Sequence, residues 1–301
     1  MNYAQLLLPD FSIILAGYLI CRYTALNRTV WQPVESLVYF LLFPVLLFQS
    51  IVKSPIQLAE ASGLMAAGLL LSLGGIALAY ALPRLPGLRA RIGAREHAAA
   101  AQVAFRFNSF IGLALAERVA GSQGLPMIAV LIGVCVPLLN VAAVWPMARQ
   151  GEHHFARELL RNPLILATVA GLACNLLGLR IPGWMEPTVQ RVGAASLVLG
   201  LMAAGAGMQL AQLQRSRLLS AAVLTIRHLL LPLLAWVLAR VLGLDATQGA
   251  VLLAFSALPT ASSCYVLAAR MGYNGAYVGG LVTLSTLLGL ASLPLALGAL
   301  R

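Results

Sequence analysis

Two short polar stretches interrupt apolar segments of this chain about half its length apart: FRFNSFIG at Phe105–Gly112 and ALPTASS at Ala257–Ser263. The first brings Arg106, Asn108 and Ser109, and the second Pro259, Thr260, Ser262 and Ser263, into surroundings that are otherwise alanine, leucine, valine and phenylalanine. These residue types suit the recognition of a small anion. A guanidinium and an amide donate hydrogen bonds to a carboxylate, and hydroxyls add weaker donors. Proline and glycine break a helix, and a helix that restarts after a break presents free N–H groups and a partial positive charge. Gly112 allows close backbone approach at the first stretch, and Asn140, in the next apolar segment, is a further candidate lining residue.

Such breaks matter because of what surrounds them. The chain has 301 residues, 60% hydrophobic and 10% charged, with a mean hydropathy of +0.89, so lipid is the solvent for most of it. Ten apolar segments are long enough to be read as membrane spans, at about 4–21, 33–51, 58–82, 98–120, 125–148, 162–178, 188–208, 217–242, 246–269 and 275–299. The expected fold class is therefore an all-α polytopic membrane protein whose short connections leave no room for a separate soluble domain. The first segment holds Pro9 and Asp10, with no basic region before it and no small-residue cleavage site, and reads as a retained helix. Both polar stretches then fall within spans, the fourth and the ninth. In lipid, backbone groups freed by a break must be satisfied by protein or by trapped water. Paired interrupted spans in corresponding positions of two halves are the sequence mark of a secondary transporter's binding site.

The halves can be superposed by eye. A shift of 154 residues carries Pro9 onto Pro163, Gly17 onto Gly171 and Pro33 onto Pro187, and a shift of 152 carries LALAER (Leu113–Arg118) onto YVLAAR (Tyr265–Arg270). Five spans per half is an odd number, so residues 151–301 would repeat residues 1–150 upside down. Spans 4 and 9 would then cross near the bilayer midplane. The net charge of +11 fits the same picture rather than nucleic acid. Loops after odd-numbered spans hold twelve arginines, the opposite side six basic residues, and Arg106 and Arg227 lie inside spans. The positive-inside rule places the first loop in the cytoplasm and both termini outside. The basic run Arg84–His97 is read as an orienting loop.

Other polar residues carry weaker signals. Arg106 is a substrate clamp on one reading and a residue snorkelling to lipid phosphate on the other. Asp10 and His228 are candidate coupling groups, and Arg227 beside His228 could meet an acid, snorkel to lipid or bind a backbone carbonyl. His153 and His154 read as solvated. The four cysteines show no CxxC spacing and read as small buried hydrophobes. Neither a metal site nor a cofactor is expected, and no HExxH or converging carboxylate pair suggests an enzyme.

At these residues the chain resembles the auxin efflux carrier family, which includes bacterial malonate-permease-like carriers and the plant PIN auxin exporters. The likeness runs over nearly the whole chain. It is strongest in FRFNSFIGLALA (Phe105–Ala116), VPLLNVAAV (Val136–Val144), NPLILATVAGLACNLLGL (Asn162–Leu179), LPTASSCYVLAARMG (Leu258–Gly272) and LVTLSTLLGLASLPLAL (Leu281–Leu297). The resemblance implies ten helices in two inverted repeats. Spans 1, 2, 6 and 7 would form a scaffold and spans 3–5 and 8–10 a transport domain, with a homodimer through spans 2 and 7. It matches the family's span 4 asparagine to Asn108, its span 9 proline to Pro259 and its span 5 polar position to Asn140. Where many relatives have proline after Gly-Leu in span 4, this chain has Ala114, which implies a gentler first break. The function implied is secondary transport of a small mono- or dicarboxylate by an alternating-access, elevator-type mechanism. Alternatives are a sodium-coupled carrier like the bile acid symporters and a membrane sensor with a transporter-like body.

Overall fold

The computed structural model describes residues 3–53, 62–88, 91–150, 163–208, 216–261 and 263–298, and they are almost wholly helical. In chain order the helices are α1 (Tyr3–Tyr23), α2 (Arg28–Leu37), α3 (Phe43–Lys53), α4 (Ser62–Ala81), α5 (Ala94–Phe105), α6 (Ser109–Ala120) and α7 (Gly124–Gln150). They continue with α8 (Pro163–Leu176), α9 (Glu186–Ala206), α10 (Arg217–Thr225), α11 (Leu231–Val241), α12 (Ala246–Ala257), α13 (Ser263–Arg270) and α14 (Gly275–Gly298). Among the described residues five helical stretches are long and apolar enough to cross a membrane: Arg28–Lys53, Ser62–Arg84, Val130–Arg149, Arg217–Val241 and Gly275–Gly298. The polar stretches of the fourth and ninth segments divide them into pieces of twelve and twelve residues (α5, α6) and twelve and eight (α12, α13). No piece alone reaches the roughly 20 residues a span requires.

Two of the long stretches are continuous through a π-helical turn. Val38–Leu42 joins α2 to α3, and Ile226–Leu230 joins α10 to α11. In both, proline follows two residues later, as Pro44 and Pro232. A proline ring clashes with the carbonyl four residues back, and a widened turn just before it relieves the crowding without ending the helix.

The packing divides into two groups. α1 lies along α9, and α3 packs on α8 and α9. At the α1–α9 crossing a Cβ on Gly17 would sit 2.0 Å from the Met202 carbonyl oxygen, and one on Gly205 1.8 Å from that of Ile14, so only glycine permits this approach of backbones. The second group, α4–α7 with α10–α14, encloses the main apolar core. Here prolines leave carbonyls that side chains then claim. Pro146 in α7 cannot donate to the carbonyl of Ala142, and the Tyr80 hydroxyl of α4 donates to it instead. The Tyr273 hydroxyl donates to Met147 at 2.7 Å, tying the start of α14 to α7.

Candidate functional site

The breaks between α5 and α6 and between α12 and α13 meet and are bonded to each other. The Asn108 N–H donates to the Pro259 carbonyl at 2.8 Å. The Thr260 hydroxyl donates to the carbonyls of Val103 and Arg106, the latter at 3.0 Å. These carbonyls lie at the C-terminal end of α5, where helical partners run out. Residues after both first halves are extended: Arg106 has φ −77° and ψ 145°, and Leu258 φ −55° and ψ 142°. Phe107 and Phe255 pack with ring centroids 4.3 Å apart over the junction. On the other side of Pro259, a Cβ on Gly289 of α14 would come within 2.6 Å of the proline ring. At Gly112 a Cβ would press on Leu258, 2.9 Å away, which explains the glycine there.

Arg106 is buried, 5% exposed, and does not snorkel. Its guanidinium donates to Gln102 Oε1 at 3.0 Å, Asn140 Oδ1 at 3.1 Å and Ser263 Oγ at 3.0 Å, and it approaches Cys264 Sγ at 3.8 Å. Gln102 is in turn fixed by donating to the carbonyls of Ala99 and Cys264, both at 3.1 Å. The side chain is thus held from its own helix, from α7 and from α13. All these partners are neutral; among the described residues no carboxylate forms an ion pair with Arg106. Because arginine only donates, the Asn140 atom facing it must be the amide oxygen. The Asn140 amide nitrogen is then left buried and without a hydrogen-bond partner among the described residues. Arg106, Asn140, Ser109 and Ser263 line one narrow cavity of about 20 Å³, which Phe43, Leu47 and Leu139 also line. α6 and α13 both begin at this cavity, with Ser109 and Ser263 as their first residues. A second cavity of about 30 Å³ shares Phe43 and Ser263 with it and extends to Glu35, Gly200 and Tyr265. There Arg28 pairs with Glu35, and the Tyr265 hydroxyl donates to the Ala203 carbonyl at 3.1 Å, linking α13 to α9.

The other half of the crossing is held from behind by Arg227 in the π turn. Its Nε donates to the Leu258 carbonyl at 2.6 Å and its Nη2 to that of Phe255 at 3.3 Å. Phe255 stands four residues before Pro259, so its carbonyl is the one the proline deprives of a helical donor. His228, the next residue, bridges Ser285 Oγ at 2.9 Å and Ser292 Oγ at 2.8 Å. Ser285 Oγ also accepts from the Thr260 N–H at 2.9 Å.

The sequence candidates therefore divide by place. Arg106, Asn140, Ser109 and Ser263 line the cavity. Asn108 caps α6, accepting the Ile111 N–H on Oδ1 at 3.3 Å, while Thr260 and Pro259 join the two breaks. Ser262, His153 and His154 lie outside the described residues. Asp10 is in α1, remote in sequence from the crossing, and its side chain is not among those described. Gln102 and Ser285 escaped the sequence reading. Gln102, one turn before Arg106, carried a legible signal as an i, i+4 partner; a lone serine in apolar α14 carried none.

Residues 96–297 match the family described as "Membrane transport protein". The chain belongs to this family, that of the auxin efflux carriers. As a member of the membrane transport family it is similar to a Rhizobium meliloti (strain 1021) protein named "Putative malonate transporter", with 25% identity over 302 residues, 95% of this chain and 92% of the relative. The matched region contains both breaks, Asn140 and the Arg227–His228 turn. It is a multi-pass membrane transporter.

Proposed function

We propose that this chain is a secondary transporter of a small organic anion, a mono- or dicarboxylate, bound at the crossing of the two broken spans. The observation that carries this reading is the buried Arg106 guanidinium held by neutral partners beside the unpartnered Asn140 amide nitrogen. A carboxylate in the cavity would accept from both, receive the N-terminal ends of α6 and α13, and balance a charge that its protein partners leave uncompensated. The name of the Rhizobium meliloti relative points to the same substrate class. As it stands the cavity has room for about one water, so a few-carbon acid would be admitted only as the walls at Phe43 and Ser263 part.

In this proposal residues 1–150 and 151–301 are inverted five-span repeats. The group containing α1, α3, α8 and α9 is the scaffold, pairing with a second copy through spans 2 and 7. The group around the crossing moves against it in an elevator-type cycle. The cavities shared by Phe43 and Ser263 lie at the boundary where such sliding would open and close the site. His228 and Asp10 are the groups proposed for coupling. The cytoplasmic side is that of the Arg84–His97 loop in a bacterial inner membrane, with both termini periplasmic.

The test is a thermal-shift screen of purified protein against carboxylates and neutral analogues in sodium or potassium at two pH values. A ligand that binds only the folded state raises the apparent melting temperature by mass action. Stabilisation by carboxylates is the expected result. A shift with sodium alone or with neutral ligands would instead favour a sodium-coupled carrier. Transport in proteoliposomes then locates the site: if Asn108→Ala and Thr260→Ala both leave it intact, the crossing is not where substrate binds. Labelling of a cysteine introduced at Arg84–His97 from outside intact cells would reverse the orientation.

A further inference from the structure

Helices α11 and α14 are joined at one level by the His228 bonds to Ser285 and Ser292. Away from that junction both pack on α12 rather than closely on each other, which leaves a groove of about 650 Å³ floored by Leu253. Its walls are Leu229, Leu233 and Trp236 on one side and Leu288 and Leu295 on the other. Leu233 and Leu295 are 56% and 74% exposed. At the open end stands Arg240, in the last turn of α11, with its guanidinium 4.2 Å from the centre of the Trp236 ring. Among the described residues no carboxylate pairs with it: Asp245, which follows, is engaged as the cap of α12, accepting from Thr247 and Gln248 N–H at 2.8 Å.

We infer that this groove is a binding site for one anionic glycerophospholipid, its phosphate on Arg240 and an acyl chain along α11 towards His228. Three observations fit that occupant together. From Arg240 to His228 is twelve residues, about 18 Å of helix at 1.5 Å per residue, which matches the ~15 Å hydrocarbon depth of one leaflet. The wall between them is apolar throughout, and the two polar groups at the deep end satisfy each other, so a chain terminus meets no unpaired donor there. A tryptophan beside an arginine at a helix end is the pairing that anchors at the headgroup level, and an exposed cation that no described carboxylate pairs favours a headgroup of net negative charge over a zwitterion, whose own ammonium competes for the phosphate and repels the guanidinium. The deep end also touches the crossing, because His228 holds Ser285, which accepts the Thr260 N–H. An occupied groove therefore braces the hydrogen-bond chain that supports the second break.

The test uses Trp236 fluorescence in full-length protein whose other tryptophans, Trp31, Trp145 and Trp184, are replaced by phenylalanine, reconstituted into vesicles. Brominated phosphatidylglycerol in a phosphatidylcholine background is compared with brominated phosphatidylcholine in a phosphatidylglycerol background at equal mole fraction. Stronger quenching by the anionic lipid, by about threefold in relative binding constant, is expected, and Arg240→Gln should bring the ratio to one. Leu233→Trp, read as retention of phosphatidylglycerol by native mass spectrometry, should lose the lipid by filling the groove. Equal quenching by the two lipids, a preference that survives Arg240→Gln, or retention in Leu233→Trp would each overturn the proposal. Should the tryptophan-depleted protein fail to fold, the difference between wild type and Trp236→Phe gives the same ratio. None of these readouts depends on anion transport.

Discussion

The two breaks use one backbone device to different ends. Each interrupts a span with an extended residue after the first half-helix, and each has carbonyls that need donors. In the second break the polar groups at and before Thr260 are spent on structure, while Ser263, at the start of α13, lines the cavity. Arg227 takes the carbonyls of Phe255 and Leu258, Thr260 donates its hydroxyl to α5, and its N–H goes to Ser285. In the first break the carbonyls are served from across the crossing, and the local polar side chain, Arg106, is turned to the cavity. Two buried arginines thus have opposite roles. Arg227 ends on backbone oxygens at the negative end of a helix, whereas Arg106 ends on neutral side chains beside an unused donor. The second break anchors the first, and the first carries the charge that a ligand can answer.

Four substitutions would break or sharpen this contrast. Arg227→Met should have the largest effect, lowering unfolding free energy by about 3 kcal/mol, because two buried carbonyls lose charged donors. Denaturant unfolding in mixed micelles measures it, and an unchanged midpoint would mean that the second break is held some other way. Arg106→Gln should weaken binding of a stabilising carboxylate roughly thirtyfold, about 2 kcal/mol, while moving the ligand-free melting temperature far less than Arg227→Met does. The reverse ranking would make Arg106 the structural residue and remove the contrast. Thr260→Val keeps the shape but removes the hydroxyl shared by Val103 and Arg106; a loss of about 1.5 kcal/mol is expected, recovered in Thr260→Ser. Asn108→Ala should cost about 1 kcal/mol, that of an N-terminal cap, and equal stability of the variant and wild type would show that the cap of α6 contributes nothing.

Much of the frame was legible along the chain. Hydropathy marks the segments, and helix is present in each of the ten expected ranges. Polar residues mark both interruptions, joined by proline in the second, and the breaks fall at Arg106–Asn108 and after Ala257. The first break consists of three non-helical residues, between Phe105 and Ser109. Arg106 could not be settled from sequence because its distance from the basic loop allowed snorkelling; burial in the packed bundle decides that it stays inside. Arg227 was left between an acid, lipid and a carbonyl, and the structure gives it carbonyls.

By itself, then, the sequence determined where helices run, where they break, and that charge sits at depth, since these follow from local composition and from the absence of proline's N–H. Tertiary structure alone decided the partners. Arg106 meets Ser263 across 157 positions and Arg227 meets Leu258 across 31. α4, α7 and α14 are apolar on nearly every side, so no 3.6-residue period marks which face of each turns to the crossing. Only the packing of α7, α13 and the π turn around the breaks selects the few polar side chains that meet there.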